Sequence, residues 1–135
     1  MNKKRFESLV AKAVQALPDE FLEKLENIVL VVEDYPNSVQ LGRTGVKRKQ
    51  TLFGLYEGIP QTKRGRHYSL VAPDKITIFQ KPIESVCQDD AEITFEIQRV
   101  VQHEIAHHFG IDESRLTQIE RAKYKHKSKY PNLNN

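Results

Sequence analysis

Apolar residues return every three or four positions near the start of the chain: Phe6, Leu9, Val10, Ala13, Val14 and Leu17. That spacing predicts an amphipathic helix over residues 3–16. Pro18 stops it or opens a second helix, in which Phe21, Leu22 and Leu25 face inward. Ile28 to Val32 is an unbroken apolar run rich in β-branched residues, which predicts a strand covered on both faces. Asp34 to Val39 reads as a turn around Pro36, and residues 42–50, basic and glycine-containing, as a loop. Leu52 to Tyr56 predicts a second strand. Gly58 to Arg66 reads as a loop, His67 to Ala72 as a further strand, Pro73-Asp74 as a turn and Ile76 to Phe79 as a short strand. Pro82 to Cys87 suits a short helix. Three or four short strands and about four helices make an α+β domain, a small mixed sheet packed on helices.

The longest helix is predicted over residues 90–109. Asp89-Asp90-Ala91-Glu92 has the form of a capping box, with Asp89 as N-cap and Glu92 reaching back. Ile93, Ile97, Val100 and Val101 supply the inward stripe, and Gly110 suits a left-handed residue just past the end. A last helix follows over 113–124, with Leu116 and Ile119 inward. Residues 1–126 form the domain; 127–135 read as a basic, flexible tail.

The long helix also carries His103-Glu104-Ile105-Ala106-His107. Two imidazoles four residues apart lie about 40° apart around a helix and about 6 Å along it, so one divalent metal can take both. Glu104 points about 100° from His103, near such an ion but not on it, which suits a base for a metal-bound water. A catalytic zinc usually has three protein ligands. Gly110 permits a sharp turn, and Glu113 stands at the third-ligand spacing; Asp112, one residue short, is the competitor and is also a candidate N-cap for the last helix. The expected chemistry is attack of that water, activated by Glu104, on a peptide or amide carbonyl. Tyr56, Arg66, His67 and His108 are candidates for a second electrophile. His108 points about 100° from His107 and does not easily join the same ion. The only methionine is Met1, so the methionine turn of the metzincin clan is absent.

With these residues the chain resembles the small bacterial zincin-like, or minimal zincin, metallopeptidases. The matching segments are Ala16 to Pro18, Ile28 to Pro36, Leu52 to Pro60, Pro73 to Phe79 and His103 to Leu116. The resemblance implies a compact, single-domain zincin-like α+β fold. It also implies a zinc metallopeptidase site with ligands at His103, His107 and an acidic residue after Gly110. That family usually carries aspartate where this chain has Glu113. In zincin-like folds an exposed strand beside the metal commonly pairs with an extended peptide, and Leu52 to Tyr56 or Ile76 to Phe79 would serve.

Composition narrows the alternatives. A length of 135 residues is that of one domain, and no apolar run is long enough to span a membrane. Glu7 and Lys12 interrupt any signal-peptide core, so a cytoplasmic protein is expected. Cys87 is the single cysteine, read as a packing residue. The net charge of +3 is concentrated in Arg43, Lys47, Arg48 and Lys49, in Lys63, Arg64 and Arg66, and in Arg121 to Lys129. These runs read as solvated loops and tail rather than a nucleic-acid surface, since no nucleic-acid-binding motif accompanies them. A peptide or protein substrate is therefore expected. Two rivals stand beside the hydrolase: a metal- or peptide-binding module without turnover, and a basic nucleic-acid-associated protein. Two imidazoles and a carboxylate also accept divalent metals other than zinc.

Overall fold

A computed structural model describes residues 1–48, 51–58 and 73–128, with Glu120 and residues 122–128 described by their backbone alone. Within it three strands form one mixed sheet in the order β1-β3-β2. They are β1 (Ile28–Glu33), β2 (Gly54–Glu57) and β3 (Asp74–Phe79). β1 runs parallel to β3, with Leu30 opposite Ile76 and Val32 opposite Ile78. β2 runs antiparallel, with Gly54 opposite Ile78 and Tyr56 opposite Ile76. Paired residues share a face. One face therefore presents Ile28, Leu30 and Val32, then Ile76 and Ile78, then Gly54 and Tyr56.

Six helices are assigned among the described residues: α1 (Lys3–Gln15), α2 (Asp19–Leu25), α3 (Ser38–Thr44), α4 (Gln80–Val86), α5 (Asp90–Phe109) and α6 (Glu113–Ser128). The core forms where α1 and α5 meet the apolar sheet face. Phe6, Val10 and Ala13 of α1 bury against Ile93, Ile97, Val101 and Ile105 of α5, with Leu17, Phe21, Val32, Ile76, Ile78, Ile83, Leu116 and Ile119 completing it. Each such aliphatic side chain contributes about 2 kcal/mol on burial. Cys87 packs on this cluster, and burial, with Glu96, Glu92 and Asp89 nearby, pushes its thiol up; that fits packing, not nucleophilic work.

Several expectations need correction. β1 is an edge strand and is not covered on both faces: Val29 stays 43% exposed. The segment expected as turn and basic loop contains α3. Asn37 accepts from the Gln40 backbone while the Gln40 side chain accepts from the Asn37 backbone, a full capping box, and Gly45 ends the helix at φ 73°. β2 starts two residues later than expected, and Asp74 opens β3 instead of making a turn. α4 begins at Gln80, so Pro82 sits inside its first turn, where no intrahelical N–H is lost. α6 continues to Ser128, two residues into the expected tail. The expected strand His67–Ala72 and the candidates Arg66 and His67 lie outside the described residues, as do residues 129–135. No helix among the described residues is long and apolar enough to cross a membrane.

Candidate metal centre

α5 has the limits its sequence predicted. Asp89 Oδ1 accepts the Glu92 N–H at 2.8 Å, closing the first turn. Glu92 reaches back one residue further than a capping box requires, to the Gln88 N–H. Gly110 takes the left-handed conformation (φ 69°, ψ 29°), and Ile111 N–H donates to the Ala106 carbonyl at 2.8 Å. Nothing stands where a Gly110 Cβ would be, so its backbone conformation, not crowding, asks for glycine. The chain thus reverses directly after the two histidines.

His103 is half-buried and His107 exposed, one turn apart on α5. Neither imidazole has a hydrogen-bond partner among the described residues, which leaves ring nitrogens open to an outside ligand. Asp112 is the N-cap of α6: its Oδ1 accepts the Arg115 N–H at 2.8 Å and its carbonyl the Leu116 N–H at 2.9 Å. Glu113 is the first residue of α6, exposed, with no side-chain hydrogen bond among the described residues. α2 braces this turn, for Glu20 receives Arg115 Nη2 at 3.1 and 3.2 Å and Lys24 Nζ lies 5.3 Å from the Phe109 ring centre.

The paired imidazoles match zinc chemistry in donor type and spacing. Among the described residues, however, no three His, Cys, Asp or Glu side chains stand together as one ion would need. The arrangement brings His103, His107 and Glu104 onto one end of one helix. Glu113 and Asp112 follow on the adjoining turn without joining them.

Glu104 is where the fold contributes most. Its Oε1 accepts the backbone N–H of Tyr56 at 2.9 Å, across from β2. Burial pushes its carboxyl above the ordinary range; the Tyr56 N–H and the neighbouring His107 and His103 pull the other way. A half-buried carboxyl beside imidazoles without hydrogen-bond partners among the described residues can accept and release a proton.

α5 and β2 meet in register. Residues 100, 104 and 108 share a helix face about 6 Å apart, and 54, 56 and 58 share a strand face at nearly the same step. A Cβ on Gly54 would stand 2.4 Å from Val100 Cγ1, so β2 touches the helix backbone-close there. Glu104 takes the Tyr56 N–H. His108 stacks on the Tyr56 ring, with centroids 3.8 Å apart and planes 14° from parallel. Tyr56 OH donates to Asp74 Oδ2 at 2.6 Å, and His108 Nε2 lies 3.8 Å from the same oxygen. Sequence reasoning named Tyr56 and His108 singly and missed Gly54 and Asp74. The available signal was the alternation Gly54-x-Tyr56-x-Gly58, small residues flanking an aromatic on one strand face.

A comparison with curated proteins finds no match. The family model described as zincin-like metallopeptidase matches residues 25–123, from the end of α2 into α6, so it spans the sheet, the paired histidines and the turn after them. With most of its length inside that match, the chain belongs to the zincin-like metallopeptidases.

Proposed function

We propose that this protein is a zinc-dependent peptidase in which His103, His107 and Glu113 hold the metal and Glu104 moves the proton. The observation that carries this is the placement of Glu104, half-buried between two imidazoles without hydrogen-bond partners and an edge-strand N–H. When bound, zinc supplies Lewis acidity toward a carbonyl oxygen and lowers the pKa of water in its shell. Glu104 accepts a proton from the attacking water and returns it to the leaving nitrogen, one carboxylate serving both steps. Its raised pKa brings it closer to a neutral working range. Asp112 is committed to capping α6, which favours Glu113 as the residue that would supply the third donor.

The geometry also favours one strand for peptide binding. Among the described residues β3 is paired on both sides and β1 is the far edge, which leaves β2. Phe79 N–H donates to the Phe53 carbonyl at 2.9 Å, so residues 53, 55 and 57 turn their backbone groups toward β3. Gly54 and Tyr56 turn theirs outward, toward the side on which Glu104 lies. The Tyr56 N–H is held by Glu104, so an extended peptide would pair at Gly54, beside that carboxylate.

Zinc quantification on freshly purified protein, with a mixed peptide library as substrate, tests the proposal. Expected are one zinc per chain, loss of zinc in His103→Ala, and weakened zinc binding in Glu113→Ala. Glu104→Gln should keep its zinc and lose about 10²-fold or more of its turnover. Zinc binding without any cleavage would replace the peptidase by the binding module, and unchanged turnover in Glu104→Gln would remove Glu104 as base.

A further inference from the structure

A glutamate side chain has three rotatable bonds, and holding it in one pose costs rotamer freedom. Proton transfer needs that pose held to a fraction of an ångström. Glu104 is held by a backbone N–H from β2, a strand of four residues at the edge of the sheet among the described residues. Short edge strands open easily. Something must therefore keep Tyr56 against the helix.

The cluster at the end of β2 does this. Asp74 is the first residue of β3, the central strand, and pairs in register with Ile28 of β1. It stands on firmer structure than Tyr56 does. The 2.6 Å contact from Tyr56 OH to Asp74 Oδ2 is a short, charge-assisted bond. The His108 ring lies flat on Tyr56 from the α5 side and reaches toward the same carboxylate. Tyr56 is thus fixed to β3 by its hydroxyl and to α5 by its ring, and between those points its N–H meets Glu104. The phenol's one proton is given to Asp74, so in this arrangement Tyr56 acts through its backbone and not as a donor to an oxyanion.

We propose that Asp74 is a positioning residue for Glu104, acting through the Tyr56 side chain and the stacked His108 to keep the Tyr56 N–H on the carboxylate. The consequence for turnover rests on Glu104 being the base. The positioning itself does not, and it has its own measurement.

The test is amide hydrogen exchange by NMR on the metal-free protein, reading Tyr56 against Phe79, whose N–H is held by Phe53 within the same sheet. In Asp74→Ala the Tyr56 amide should exchange about tenfold faster, the worth of one hydrogen bond, while Phe79 is unchanged. Tyr56→Phe should give the same selective rise, because it keeps the ring stack and removes only the hydroxyl. Asp74→Asn, which still accepts from the phenol, should restore protection. In the zinc-loaded protein kcat should fall about ten- to a hundredfold in Asp74→Ala with KM little changed. No change at Tyr56, or an equal rise at Phe79, overturns the proposal, the latter because it shows general loosening. Should Asp74→Ala fail to fold, Tyr56→Phe alone decides by the same readout. A protein without any peptide turnover would defeat the functional reading and leave the exchange result standing.

Discussion

β1 and β2 flank the same central strand, and they differ in nearly every respect that bears on function. β1 has six residues, five of them apolar and β-branched or leucine, and pairs in parallel. β2 has four, opens on glycine and pairs antiparallel. The richer strand is the simpler one. Its inner face joins the core through Val32, and its outer face leaves Val29 exposed. The poorer strand touches the motif helix along its length, through Gly54 at Val100, Tyr56 at Glu104 and the Tyr56 ring at His108. Apolar content thus marks where a strand adds stability. It does not mark where backbone groups are left pointing at chemistry; strand order and register decide that.

The largest effect should come from filling the β2–α5 crossing. Gly54→Val puts side-chain atoms where Val100 Cγ1 and, at 3.3 Å from the new Cβ, the Thr77 carbonyl already stand. It should cost about 2–3 kcal/mol, seen in urea denaturation, and displace the Tyr56 N–H from Glu104. Activity per folded molecule should fall with stability, and adding Val100→Ala should recover part of both. Full activity in Gly54→Val would mean that the crossing does not position the base. On the other edge, Val32→Ala removes two buried methyl groups from the core, at about 2 kcal/mol. Here zinc content and turnover per folded molecule should hold, because Val32 lies opposite Ile78, at the other end of β1 from the Ile28–Asp74 pair. Smallest is Val29→Thr on the exposed face, expected within about 0.5 kcal/mol of the parent. A larger loss there would show that the outer face of β1 is covered in solution.

How much was legible can be followed residue by residue. The limits of α5 were, because a capping carboxylate, a 3.6-residue stripe and a glycine stop are all local signals. So was the placement of His103 and His107 one turn apart on that helix. α3 was missed although Asn37 and Gln40 announce it; the basic residues and Gly42 after them outweighed the cap. The burial of β1 was overread, because an apolar run tells of hydrophobicity and not of position in the sheet. Glu104 was assigned its role from the motif, yet its partner lies 48 residues away and is a backbone group, which no side-chain pattern reveals.

By itself the sequence determined one helix carrying two imidazoles and an acid, the turn that follows it, and a mixed α+β composition around them, since each depends on contacts within a few residues. Tertiary structure alone decided that β2 is the edge beside that helix, that Gly54 admits it there, and that Asp74, Tyr56 and His108 converge around the acid. Those contacts join segments far apart in the chain, and only packing and strand register bring them together.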